Sequence, residues 1–322
     1  MNDKLAGVSI AGISEAYEVA HSAAVLVERS DLGMLKFSGK SRLDLINRMS
    51  TQDVLNLKPG EGAATVLSTD IGRIIDRLIL YVDRESVYCL TGEGNGANIA
   101  EYLRRFVFYM DDFTVEDLSA STAVLAVYGI QASSALRDIF GEADLPLHHW
   151  KRADLGGAPV YQHRTDPIAG AGYLVTCHEE DRAALEQALV GAPIRPADEA
   201  AFDYLRIESR LPRFGRELTP DYIPLEAGLW ADVSFNKGCY TGQEIIARLE
   251  SRGRLAKRLV HLTAAEPLSA GDALTAGDKA AGTVTSAATG PGGAQALAYV
   301  KTAILEQDQP LIASHTAVRV SS

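Results

Sequence analysis

An α+β fold of antiparallel sheets with helices, ending in a small C-terminal β-barrel, is what the order of elements in this chain predicts. Two observations carry the prediction. Between residues 23 and 189 a set of short strands leading into a helix occurs twice in similar order, as expected where helices lie on one side of mainly antiparallel sheets. Beyond Arg258 the segments become short and β-like, separated by Ser269-Ala270-Gly271-Asp272 and Thr289-Gly290-Pro291-Gly292-Gly293, which suits a small barrel. At 322 residues the chain exceeds one compact core, and these shifts divide it at 1–111, 112–255 and 256–322.

Taken in order, a loose N-terminus leads to strands over 23–28 and 33–37. Leu43, Ile46 and Met49 then recur at helical spacing within 41–49. Segments 63–67, 73–82 and 86–91 read as an antiparallel meander, turning at Asp70-Ile71-Gly72 and Asp83-Arg84-Glu85, before a helix over 97–108. The second set comprises strands 114–117 and 123–127, helix 132–140, strands 159–163 and 172–176, and helix 179–189. Residues 193–196 read as a hinge before a strong helix over 197–210, and strands over 259–262, 282–286, 294–299 and 317–320 belong to the barrel.

Composition narrows the functional classes. The hydrophobic share is 47% and the charged share 23%, values of an ordinary soluble globular protein. A formal charge of −11 repels polyanions except where basic residues cluster, so direct nucleic-acid binding is not expected. One cluster exists: Arg248, Arg252, Arg254, Lys257 and Arg258 form either a solvated helix end or a site for a polycarboxylate or RNA backbone. Cys89, Cys177 and Cys239 are scattered and odd in number, which fits a reducing cytoplasm and no disulfide framework. Neither these nor the histidines are spaced as metal ligands, so no metal site or resident cluster is expected. No export signal or run of about 20 apolar residues is present, so no membrane association is expected.

Chemistry concentrates in Asn236-Lys237-Gly238-Cys239-Tyr240-Thr241-Gly242-Gln243-Glu244. Cys239 lies beside a glycine, two positions from Lys237 and ahead of a helix start, all of which favour a thiolate nucleophile; a small buried space-filler is the alternative. Thr241 and Glu244 have the spacing of a capping box. A second motif, Gly92-Glu93-Gly94-Asn95-Gly96-Ala97, satisfies G-x-G-x-x-A. Its strand closes a hairpin rather than opening a parallel unit, and Glu93 would oppose a pyrophosphate, so a helix-entry loop is favoured over a nucleotide site.

Lys237 to Glu244 resembles the K-G-C-Y-x-G-Q-E signature of the YgfZ family, folate-binding relatives of the glycine-cleavage T-protein (GcvT, aminomethyltransferase). Leu205-Arg206-Ile207-Glu208 with Pro212, Ile223 to Gly228, Thr51-Gln52-Asp53-Val54 and Gly72-Arg73-Ile74-Ile75-Asp76 resemble further blocks. The resemblance spans nearly all of 23–322 and implies GcvT-like folate-binding α+β modules around a tetrahydrofolate pocket, with a closing barrel. By that likeness Glu208 binds the pterin and Lys237 the anionic tail, Tyr240 belongs to the same site, and Phe202 stands where some relatives place a stacking tryptophan. Asn98 corresponds to the T-protein's catalytic aspartate, which makes aminomethyl transfer doubtful. The family is linked to assembly or repair of iron–sulfur enzymes, including tRNA-modifying ones. The resulting expectation is a monomeric, tetrahydrofolate-binding protein with iron–sulfur client proteins, Cys239 being the working thiol. An aminomethyltransferase and a nucleotide-dependent oxidoreductase are the alternatives.

Overall fold

The computed structural model describes residues 4–5, 8–141, 144–190, 193–307 and 309–321. A short ribbon, β1 (Lys4–Leu5) and β2 (Val8–Ser9), precedes α1 (Ile13–Ser22), β3 (Ala24–Glu28), β4 (Leu32–Ser38) and α2 (Arg42–Met49). Residues 13–22 of the expected loose N-terminus are thus helical, while residues 1–3 and 6–7 lie outside the described residues. Ala16 and Ala20 of α1, four apart and both fully buried, seat the helix on the core through small side chains, which leave little apolar periodicity in the sequence.

The meander is β5 (Gly62–Ser68), β6 (Ile74–Val82) and β7 (Ser86–Glu93), followed by α3 (Gly96–Arg104) and β8 (Thr114–Asp117). With β4 these make a five-stranded antiparallel sheet ordered β5-β6-β7-β4-β8. A six-stranded sheet follows, from β9 (Thr122–Gly129), α4 (Ala132–Phe140), β10 (Trp150–Leu155), β11 (Ala158–Ile168), β12 (Ala171–His178), α5 (Arg182–Val190) and β13 (Ile194–Pro196), in the strand order β10-β11-β12-β9-β3-β13. β3 therefore belongs to the second sheet and β8 to the first, so the chain interleaves the two sheets.

The hinge expected at 193–196 is instead the edge strand β13, parallel to β3. An edge position tolerates Pro196, because the missing N–H costs no ladder bond there. β10 also escapes the sequence reading, its run Trp150-Lys151-Arg152-Ala153-Asp154-Leu155 being too charged to look like a strand.

The sheets face each other over a shared core containing Val25, Met34, Tyr81, Leu90, Val124 and Leu174, which α1 and α6 (Glu199–Glu208) close. α6 starts as its sequence dictates: Asp198 caps it, accepting the Ala201 N–H at 2.7 Å. α7 (Gln243–Arg252) follows a long loop. The closed barrel consists of β14 (Lys257–Ala264), β15 (Ala273–Ala276), β16 (Lys279–Gly290), β17 (Gly293–Lys301), β18 (Leu311–Ala313) and β19 (Thr316–Ser321), with α8 (Thr302–Leu305) between β17 and β18. Two side chains of α6 dock onto it. Arg206, 1% exposed, donates to Glu217 Oε2 at 2.9 Å and to Ser286 Oγ at 2.6 Å. The Tyr204 hydroxyl accepts the Gly292 N–H at 2.8 Å.

Candidate functional site

At one end of the core the sheets part around a cavity of about 670 Å³ of space, in part open to solvent. Asp76 of β6 borders it; it shares the phase of Leu78, which packs under α2 and α3, while the neighbouring Arg77 and Ile79 face the second sheet. Its Oδ2 accepts the Gly92 N–H and the Asn95 Nδ2–H, each at 2.9 Å. Its Oδ1 is buried and has no partner among the described residues. Burial pushes this carboxyl up to about 6, against the pull of the Asn95 and Gly92 hydrogen bonds.

Phe202 of α6 forms another wall. Tyr128 lies 5.9 Å from it, near parallel at 23°, and the Arg29 guanidinium sits 4.4 Å from its ring centroid. Arg29 and Arg213 share Glu93 Oε1, both at 2.7 Å, so these rim cations are already partly neutralised. Gly92 is required by packing: a Cβ there would lie 2.3 Å from the Phe214 ring. Gly94 takes a left-handed φ of 64°, and a Cβ on Gly96 would press on Ser119 Oγ at 2.9 Å and on Gly33. The three glycines of the G-x-G-x-x-A motif thus answer to packing and turn geometry, in a sheet that is antiparallel throughout.

The other residues singled out in the sequence fall in three places. Asn98 stands behind Asp76: its Nδ2 donates to Asn95 Oδ1 at 3.0 Å, completing a chain from Asn98 through Asn95 to Asp76. Glu208 does not line the cavity. Phe202 and Arg206, four apart, take the cavity side of α6, and a residue two positions beyond Arg206 is rotated roughly 200° from it. Glu208 instead lies 3.3 Å from His21 of α1.

Lys237 is not free to meet an anion. Its Nζ donates to Asn47 O, Ser50 O and Gln52 O at 2.7, 2.9 and 2.6 Å, which uses all three N–H bonds to close the C-terminal end of α2. Burial brings the ammonium down to about 8, so it remains charged at neutral pH. Tyr240 packs with Ile223, Leu225, Val233 and Ile246, and burial pushes its phenol up to about 12.

The capping box is also corrected. Gly242, at φ 83°, is the N-cap of α7 and no side chain caps the helix. Thr241 is held by its backbone, its carbonyl accepting from Ser68 Oγ at 2.8 Å, while its hydroxyl meets Met49 Sδ at 3.9 Å. Cys239 is exposed, whereas Cys89 and Cys177 are buried, and desolvation raises both of their thiol pKa values, that of Cys177 to about 11. The space-filling alternative for Cys239 is therefore excluded. Among the described residues no group of three or more His, Cys, Asp or Glu side chains could hold a metal ion, and no helix is long and apolar enough to cross a membrane.

Two facing, mainly antiparallel sheets, a polar and aromatic cavity between them, and a docked six-stranded barrel define an aminomethyltransferase-like fold. The glycine cleavage system aminomethyltransferase T of Bartonella henselae has that fold, at a TM-score of 0.85 over 99% of this chain and 92% of its own, with 22% identity. Residues 9–237 match the family described as GCVT N-terminal domain, and residues 257–322 match the CAF17 C-terminal β-barrel domain. The chain belongs to the GCVT family and carries the domain pairing of YgfZ and CAF17 proteins. It is 30% identical over 256 residues to the aminomethyltransferase of Bacillus velezensis, covering 76% of this chain and 69% of that protein. It is 28% identical over 294 residues to a chloroplastic Arabidopsis thaliana protein named as a transferase, covering 89% and 67%.

Proposed function

We propose that the chain binds tetrahydrofolate in the central cavity and offers Cys239 to client proteins in the assembly or repair of iron–sulfur enzymes. The unpartnered, buried Oδ1 of Asp76, which lines the same cavity as the Phe202 and Tyr128 rings, carries the folate part. A pterin is flat and has adjacent N–H donors, the complement of that wall and that oxygen. Bound tetrahydrofolate supplies a carrier of one-carbon units. Asp76 accepts and orients the ring, and Asn95, steadied by Asn98, keeps Asp76 in place. Glu208 is the family's pterin residue by its motif; its position beside His21 makes Asp76 the competing assignment. Lys237 and Tyr240 support this reading indirectly, as anchors of the loop that carries Cys239.

That loop has exposed apolar side chains near it. Thr241 N–H donates to Arg48 O at 3.3 Å, and the Arg48 guanidinium sits 5.6 Å from the Phe108 ring centroid. Phe108, Tyr109 and Met110 are 64%, 96% and 76% exposed. In the chain leading into the loop, Trp230 and Phe235 pair at 6.3 Å and are also exposed. Apolar surface of this kind around an accessible thiol suits a protein partner.

Calorimetric titration of tetrahydrofolate into wild type, Asp76→Asn, Glu208→Ala and Cys239→Ala tests the assignment. Wild-type protein that takes up no folate overturns it. Binding lost in Glu208→Ala and kept in Asp76→Asn moves the pterin to Glu208. The client role requires that Cys239→Ala fail to restore iron–sulfur enzyme activity in cells lacking the protein. Aminomethyl transfer is a second reading, favoured by the names of the relatives. Ammonia released from an aminomethyl-lipoyl carrier protein would establish it against the maturation role, although the Asn98 amide has no carboxylate to take up a proton.

A further inference from the structure

The sheets part a second time, around a slot of about 510 Å³ of space, in part open to solvent, that shares no lining residue with the central cavity. One wall is Tyr88 of β7; the other is Trp150, Tyr161 and His163 of β10 and β11. The rings form a cluster, with Tyr88 6.2 Å from Trp150 and 6.4 Å from Tyr161, and Trp150 5.8 Å from Tyr161. Trp150 is locked by its Nε1–H, which donates to Val82 O at 2.8 Å. Tyr88 and Tyr161 are only half-buried, so the cluster has a solvent-facing side.

Two features of the slot call for a ligand. His163 is 2% exposed; its Nε2 lies 3.0 Å from Thr176 Oγ1, and its Nδ1 has no partner among the described residues. Burial holds this imidazole neutral, so one hydrogen-bonding position of a buried ring is unused, a costly state for a polar group. In addition, each solvent-facing tyrosine has a cation directly across its ladder. Lys36 is the partner of Tyr88 in the β4–β7 register, and Arg152 that of Tyr161 in the β10–β11 register. Cross-strand partners share a face.

Tyr88 also borders an open groove containing Lys36, Lys40 and Arg84. None of these lysines and arginines, nor Arg152, makes an ion pair among the described residues, in a chain whose formal charge is −11. Asp83, Glu85 and Asp112 share the groove and Glu116 faces Lys36 from β8. That mixture rejects a polyanion and leaves room for one compact anionic group.

The geometry points to a second binding site, for a planar aromatic heterocycle bearing a compact anionic group, of the size of a nucleoside monophosphate. The ring stacks on the Tyr88, Trp150 and Tyr161 cluster with His163 as its hydrogen-bonding partner, and the anion lies between Lys36 and Arg152. Stacking on the aromatic side chains holds the ring whatever its edge, and the cations select the charged form of the ligand. This site does not depend on the folate assignment. A free nucleotide and a folate, itself a heterocycle with an anionic tail, are the two sources of such chemistry.

The chain has two tryptophans, so Trp230→Phe leaves Trp150 as the reporter. GMP, guanosine and 5-formyltetrahydrofolate are titrated against Trp150 emission in this protein, with heat measured in parallel. Saturable quenching by GMP is expected, with guanosine at least about 10-fold weaker. Lys36→Glu and Arg152→Glu, both surface changes, should each weaken GMP about 10-fold, and Asp76→Asn should leave it unchanged. Quenching by 5-formyltetrahydrofolate with the same dependence on Lys36 and Arg152 supports the site with folate as the source. No saturation by either anion up to about 1 mM, quenching indifferent to both charge reversals, or quenching abolished by Asp76→Asn would each overturn the proposal.

Discussion

Replacing Asp76 with asparagine separates stability from binding, and the sign of both effects follows from the structure. The carboxyl is fully buried and its pKa is raised from 3.8 to about 6. A raised carboxyl pKa means that the native state holds its proton more tightly than the unfolded chain. Stability from this group is therefore complete below about pH 4 and is lost as pH rises through about 6. A shift of this size corresponds to about 3 kcal/mol of destabilisation at pH 7, of which about 1.3 kcal/mol develops between pH 5 and pH 7. Asparagine keeps an acceptor for the Gly92 N–H and Asn95 Nδ2–H but places an unpartnered NH₂ where Oδ1 was, which costs about 1–3 kcal/mol. Asp76→Asn should thus be about as stable as wild type, or more stable, at pH 7, and should lose ground to wild type as the pH falls to 5. Its difference from wild type should move by about 1.3 kcal/mol between the two. Tetrahydrofolate affinity should fall at least about 10-fold in the variant, and in wild type it should decline as pH drops through about 6, when Oδ1 loses its acceptor charge. Urea denaturation at the two pH values and calorimetry of folate binding measure this. A difference in stability that does not change with pH, together with wild-type affinity in the variant, would refute the role given to Asp76.

Native protein should react with a thiol reagent at one site, Cys239, with Cys89 and Cys177 labelled only on unfolding; Cys239→Ser should change stability by less than about 0.5 kcal/mol. Lys237→Met should cost about 2–4 kcal/mol in urea denaturation by stripping three carbonyls at the end of α2 of their donor, while folate affinity in the folded protein stays close to wild type. Arg206→Met should be the more damaging change, at about 3–5 kcal/mol, because Glu217, 0% exposed, would keep its charge without its arginine. A loss below about 1 kcal/mol would show that solvent reaches that pair.

Much of the site was legible in the sequence only as a neighbourhood. The Lys237 to Glu244 motif marks a segment under unusual demands, and the structure divides them: Lys237 closes α2, Tyr240 fills an apolar pocket, and Gly242 permits a close approach, since a Cβ there would lie 2.5 Å from Thr69 O. Asp76 enters the sequence reading only within the Gly72 to Asp76 block and not as a site residue, although a carboxylate in phase with the buried Leu78 and Leu80 is a signal. Such a residue becomes informative only when both faces are known to be covered. Phe202 could be placed near the cavity, whereas the turn of α6 that points Glu208 at His21 depends on which face α1 covers.

By itself the sequence determined the class of fold, the barrel and most strand positions, because periodicity and turn chemistry act over a few residues. It also determined that Cys239 sits in a loop before a helix. Only the tertiary structure decided that β3 crosses into the second sheet, that residues 194–196 are a strand, and that Lys237 is spent on backbone carbonyls. It likewise decided which carboxylate enters the cavity. Those outcomes depend on groups some 19 to 190 positions apart meeting in space, as Asn95 meets Asp76 and Lys237 meets Asn47, and no local pattern encodes which of the available partners a buried polar group will find.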